Sequence, residues 1–167
     1  MTIQATEIPS SALLHGHVER GEYADAFYTD IADSVDLSEY IRAFYSSRVM
    51  KVERFILKFI GKPSSADQVE KLATGEISEF AVWSVAERRD NEILLPDFYD
   101  RTCSWLMVSY PSTGKTRLHF GTGVHRMRQQ GEGATSLNLF FRTTIGFHLL
   151  YSKVLLRSAR NQLEKLG

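Results

Sequence analysis

Residues 101–126, RTCSWLMVSYPSTGKTRLHFGTGVHR, decide the fold. Arg101 to Tyr110 and Thr116 to Arg126 are rich in aromatic and branched residues, and between them Pro111-Ser112-Thr113-Gly114-Lys115 supplies turn chemistry, so the stretch reads as an antiparallel hairpin. With a five-residue loop, Tyr110 opposes Thr116, Val108 opposes Leu118, and Leu106 opposes Phe120. Leu106, Val108, Leu118, Phe120 and Val124 then share one apolar face. The other face sets Met107 beside His119, Trp105 beside Gly121, and Arg101 beside His125, so an indole lies over a residue that has no side chain to block it. A slip of one residue would scatter the aliphatic face, which is why this register is the expected one.

Upstream, the first 14 residues, with Pro9-Ser10-Ser11, read as a lead-in, and Tyr23 to Ile31 (YADAFYTDI) reads as an edge strand. Asp36 and Glu39 have the spacing of a capping box, in which a side-chain oxygen and a returning carboxylate satisfy the free amides of a helix start. That helix is expected to break near Ser46-Ser47. Val49, Val52, Phe55, Ile56, Phe59 and Ile60 then form a helical stripe that Gly61 and Pro63 end. Ser65 and Gln68 repeat the capping spacing before a short helix. Beyond Gly75, strands are predicted over Glu79 to Glu87 and Glu92 to Leu95, joined through Arg88 to Asn91.

Downstream, residues 127 to 136 read as a loop, and a final helix is predicted from Thr143 to Leu166, about 36 Å at ~1.5 Å per residue. Its inner stripe is Ile145, Leu149, Ser152, Leu156, Ala159 and Leu163. Phe147, Leu150 and Val154 fall on the opposite side, for which two explanations are open: cover by the N-terminal helices, or contact with a second copy in a homodimer.

The 167 residues suit a single domain, and 43% hydrophobic against 24% charged is an ordinary globular balance. Residues 1–110 carry 11 Lys/Arg against 18 Asp/Glu, and residues 111–167 carry 9 against 2, so the formal net charge of zero hides an acidic first part and a basic last part. Antiparallel strands would interleave those charges in space, and no aromatic-basic platform accompanies them, so nucleic-acid binding is not expected. No basic and apolar leader opens the chain, and Arg142 and His148 interrupt the richest apolar stretch, so neither a signal peptide nor a membrane span is expected. The single cysteine, Cys103, cannot form an internal disulfide, which points to a reducing cytoplasm.

Several strings resemble functional motifs without their context. Ser112-Thr113-Gly114-Lys115-Thr116 looks like the end of a phosphate-binding loop, but Ser109 stands at the required earlier glycine, Pro111 removes an amide, and a strand follows instead of a helix. His15 with His17, or His119 with His125, could share a face and hold a metal, but no carboxylate or thiolate is spaced to join them, so no metal and no cofactor are expected. Cys103 reads as a buried inert thiol. No Gly-x-Ser-x-Gly elbow supports hydrolase chemistry. Trp83, Trp105, Phe140 and Phe141 could stack on a ligand, and core packing is their commoner role.

YADAFYTDI (23–31), VERFILKFIGK (52–62), RRDNEILLPDFYDRTCSWLMVSY (88–110) and GFHLLYSKVLLR (146–157) together resemble a bacterial domain-of-unknown-function family that looks START-like, within the helix-grip (SRPBCC-type) superfamily. The last stretch departs from the Gly-x-x-Tyr and Pro-Phe-His pattern of relatives: Gly146 and Tyr151 are present, but no Pro-His follows. The resemblance implies an α+β helix-grip fold: a curved antiparallel sheet wrapped around the long C-terminal helix, short helices after the first strand, and a cavity between sheet and helix. The leading expectation is a module that binds a hydrophobic, lipid-like small molecule between Leu106, Val108, Leu118, Phe120 and Val124 on the sheet and Ile145, Leu149 and Leu156 on the helix. Arg126, Ser104 and Ser152 are its nearest polar groups. The alternatives are a cyclase- or hydratase-like enzyme in the same cavity, for which no acid or base is identified, and a scaffold whose cavity is filled by side chains.

Overall fold

The computed structural model describes residues 2–51, 65–125 and 134–165, with backbone alone for 134–148. It is an α+β fold: a multi-strand antiparallel sheet packs against a long C-terminal helix, with short helices after the first strands. In chain order the elements are β1 (Gln4–Ala5), α1 (His15–Glu19), β2 (Tyr23–Ile31), α2 (Leu37–Ser46), α3 (Ala66–Thr74), β3 (Glu79–Phe80), β4 (Trp83–Ser84), β5 (Glu87–Arg88), β6 (Glu92–Pro96), β7 (Thr102–Ser112), β8 (Lys115–Val124) and α4 (Ala134–Leu163). The six-stranded sheet runs β1-β2-β8-β7-β6-β5, and β3 and β4 form a separate pair. No helix among the described residues is long and apolar enough to cross a membrane.

The central hairpin has the expected register, with Leu106 opposite Phe120, Val108 opposite Leu118 and Trp105 opposite Gly121. Its turn is shorter than expected. Ser112 pairs with Lys115 around Thr113-Gly114, and between Ser109 and Ser112 the register shifts, so Tyr110 and Pro111 together face Thr116. Pro111 has no N–H for the ladder, and an irregularity of this kind is where a strand tolerates that loss.

Both capping boxes form: Asp36 with Glu39 opens α2, and Ser65 with Gln68 opens α3. Gly75 takes the left-handed conformation (φ 81°) that closes α3. There the Arg88 guanidinium donates to the carbonyls of Leu72 (2.8 Å) and Ala73 (2.6 Å), placing a cation at the negative end of the helix. The chain breaks at Ser47 as expected; the helical stripe from Val52 to Ile60, with Gly61 and Pro63, lies outside the described residues.

Four expectations are corrected. β2 is not an edge strand: it pairs along its whole length with β8, while β1 covers Phe27 and Tyr28 on its other side. The lead-in therefore contributes a strand, and Ala12, Leu13 and Leu14 are buried. Glu79 to Glu87 is not one strand, because the chain reverses at Ala81 (φ 53°). Phe80 and Trp83 would point to opposite sides of a continuous strand; the reversal brings both rings onto Tyr45, at centroid distances of 4.9 and 6.0 Å. Finally, α4 starts at Ala134, nine positions before the expected Thr143, and at 30 residues it spans about 45 Å.

Alternation along the strands gives the sheet two covered faces. Phe27, Ile31, Ile93, Leu95, Leu106, Val108, Leu118 and Phe120 pack beneath α2, α3 and α4. On the other face, Ala26, Cys103, Trp105 and Met107 pack beneath Ala12, Leu13 and Leu14.

Candidate functional site

Two places hold groups that packing alone does not explain. The first is a recess of about 130 Å³ between sheet and α4. Its walls are mostly apolar, with Phe44, Trp83, Phe120 and Leu155 among them, and Ser104, Thr122 and Ser152 bring hydroxyls to it. Phe44 and Phe120 set one wall with ring centroids 5.0 Å apart. The Thr122 hydroxyl is already committed to Asp25 (2.8 Å), whose other oxygen accepts from Tyr23 (2.8 Å). Burial, and after it the bond and charge of Asp25, push the Tyr23 phenol well above its ordinary pKa, so it stays a donor. Ser152 differs from Thr122. It is 1% exposed, and its Oγ has no hydrogen-bond partner among the described residues.

The residues expected to form a cavity divide. Ser104, Phe120 and Ser152 line the recess. Leu106, Val108, Leu118 and Leu156 are packed into the core and do not line it, Leu149 packs partly buried against that core, and Val124 is half-buried at the strand end. Arg126 and the side chain of Ile145 lie outside the described residues. On the outer side of α4, Leu150 is 63% and Val154 41% exposed; the Phe147 side chain and most of the helix expected over 49–60 lie outside the described residues.

The second place is on the opposite face, where His17, Glu22 and His125 converge with one ligand atom from each within 4.8 Å of the others. The sequence pairs His15 with His17 and His119 with His125; the fold instead joins one member of each pair. The cause is local at one end. Glu22 N–H donates to the His17 carbonyl and Gly21 N–H to that of Val18, the two bonds of a Schellman motif, with Gly21 at φ 67°. This closure returns Glu22 beneath His17. At the other end, Gly123 makes room: a Cβ there would sit 2.8 Å from Cys103 Sγ and 2.9 Å from the His17 ring. Gly121 does the same for Leu14 and for the Trp105 indole expected over it. His125 follows β8 and is fixed by its N–H to the Arg101 carbonyl (2.9 Å).

Burial, then the nearby charges of His125 and Arg20, lower the His17 pKa against the pull of Glu22. Burial acts to raise the Glu22 carboxyl, but hydrogen bonds from His125 and Arg20 and their charges outweigh it and hold it below its usual value. Cys103 lies 3.2 Å from His17 Nε2, and burial pushes its thiol up to about 12, so it is the inert group expected. His119 is separate: buried on β8, it meets Ser109 Oγ at 2.9 Å. The phosphate-loop look-alike is the hairpin tip, with Gly114 at φ 72° in a strand-to-strand turn.

Comparison of the chain with protein-family models, curated proteins and solved structures returned no match in any of the three.

Proposed function

We propose that the protein is a START-like binding module that takes a small apolar molecule, carrying one hydrogen-bonding group, into the recess between sheet and α4. The observation that carries this reading is the unpartnered Ser152 hydroxyl, buried in a recess whose walls are mostly apolar. A buried hydroxyl without a partner costs about 1–3 kcal/mol, and a ligand donor or acceptor at that point recovers the loss. Size narrows the class. A cavity of roughly 150 Å³ accepts benzene, so a recess of about 130 Å³ suits one aromatic ring or a short branched chain. Long fatty acids and polyketides do not fit it. The buried free thiol of Cys103 supports a reducing, cytoplasmic setting for this activity.

Native mass spectrometry of the purified chain should reveal a retained small compound. In a thermal-shift series, phenols and short ketones should stabilise the protein and ATP with magnesium should not. Ser152→Ala should weaken the best ligand about five-fold, the worth of one net hydrogen bond of ~1 kcal/mol, and Ser152→Leu, which fills the recess, should abolish binding. Absence of stabilisation by any apolar compound, or binding indifferent to Ser152→Leu, would overturn the proposal.

A further inference from the structure

We infer that His17, Glu22 and His125 form a binding site for a divalent transition-metal ion of the zinc type, on the face of the sheet opposite the recess. Two imidazoles and a carboxylate are a donor set that zinc takes. The Glu22 carboxylate bridges the two rings, with Oε2 2.9 Å from His17 Nδ1 and Oε1 3.1 Å from His125 Nδ1, and Oε2 also accepts from Arg20 Nε at 3.0 Å, a contact that a bound ion would have to displace or share. All three donors lie within 4.8 Å of one another.

The contact between His17 and Glu22 carries the argument further. His17 is 3% exposed, and its Nδ1, although 2.9 Å from Glu22 Oε2, has no hydrogen-bond partner of good geometry, whereas His125 Nδ1 is hydrogen-bonded to Glu22 Oε1 at 3.1 Å; the buried nitrogen is the one that an ion would satisfy. The remote nitrogens also have partners of the orienting kind. His125 Nε2 is 3.2 Å from Asp100 Oδ1, the carboxylate-histidine arrangement that fixes a metal-bound ring, and His17 Nε2 faces Cys103 Sγ. The backbone on either side of Asp100 is fixed, since the Asp97 carboxylate accepts from the amides of Tyr99 (2.7 Å), Arg101 (3.2 Å) and Thr102 (2.9 Å), while the Asp100 carboxylate itself is exposed. His17 is buried while His125 is half-buried, which gives the ion a path from solvent. Three protein donors leave one position open to water.

Titration calorimetry of the chelator-treated full chain should find one Zn²⁺ per molecule and no response to Mg²⁺ or Ca²⁺, and Co²⁺ should give the visible bands of a low-coordinate site. His125→Ala and Glu22→Gln should each weaken zinc by about 100-fold or more, beyond the loss typical of a mere orienting partner, and His15→Ala should not. Nitrogen-edited spectra of the parent imidazoles need no variant: zinc should move Nδ1 of His17 and of His125 and leave His15 and His119 in place. Failure of the folded parent to bind zinc stoichiometrically, binding unchanged in both ligand variants, or imidazole shifts at His15 or His119 would overturn the assignment.

Discussion

On the helix face of the sheet, Leu106, Val108, Leu118 and Phe120 meet Leu155, Leu156, Ala159 and Leu163; on the N-terminal face, a single carboxylate holds Leu13 over Trp105. The first interface is made of apolar groups any of which can slide or repack a little, and its strength grows with area at roughly 25 cal/mol per Å². The second depends on direction. Glu92, buried on β6, accepts from Trp105 Nε1 at 2.8 Å and from the Leu13 amide at 2.9 Å, while its other oxygen meets Arg89 at the surface. The two faces should therefore fail differently, the first by degrees and the second when one partner is removed.

The largest effect should follow from breaking that directional contact. Glu92→Ala leaves the indole N–H and the Leu13 amide without partners, at ~1–3 kcal/mol for each buried orphan, so about 3 kcal/mol or more should be lost in urea unfolding followed by tryptophan fluorescence. On the helix face, Leu118→Met keeps the volume and should cost less than about 1.5 kcal/mol. If the order of the two variants were reversed, the contrast between the faces would not stand.

His119 sharpens the same contrast through pH. Burial, and after it the charge of Arg117, push its pKa down from 6.5 to about 4, with Asp30 pulling the other way. A histidine whose folded pKa is depressed contributes fully above the unfolded value. As pH falls through about 6.5 the unfolded chain takes up a proton that the folded chain refuses, so stability drops, and the loss levels off near pH 4 once the folded state protonates too. At ~1.36 kcal/mol per pKa unit the total is on the order of 3 kcal/mol. Comparing urea midpoints of the parent and His119→Gln from neutral pH downward isolates this contribution, and the variant's curve should be flatter by that amount. Parallel curves would mean that His119 is already protonated at neutral pH or open to solvent.

The helix face was legible in the sequence because its signals are local or periodic. The capping pairs Asp36/Glu39 and Ser65/Gln68 act across three residues, and the parity of Leu106, Val108, Leu118 and Phe120 selects one register. Ser152, Leu156, Ala159 and Leu163 likewise fall on the buried stripe of α4 that their spacing predicts. The N-terminal face has no period. Leu13 and Leu14 are buried because Gly121 leaves space and Glu92 supplies an acceptor, both about 80 residues or more along the chain from them. The meeting of His17 with His125 depends on pairing across a still longer stretch, and only the local part, a histidine five residues before a glutamate with Gly21 between, could have been read beforehand. The recess was missed in its position for a related reason: the reversal at Ala81 brings Trp83 to Tyr45, and no alternation pattern announces a break of that kind.

The smallest effect is expected on the outer side of α4. Val154 is 41% exposed and Leu150 63%, with Lys153 and Arg157 exposed around them, so Val154→Asp places a charge where water can reach it. Substitutions of this kind usually fall within about 0.5 kcal/mol, and the thermal transition should stay within a few degrees of the parent's. The same variant tests whether the strip meets a second copy. A charge within a two-fold contact between apolar patches would lower the mass seen by light scattering without touching the monomer's circular dichroism, whereas an uncovered strip would leave both unchanged. A loss of several kcal/mol would contradict the exposure itself, because only a buried, unpaired carboxylate costs that much. It would place the outer side of α4 among the packed faces, beside the two faces of the sheet.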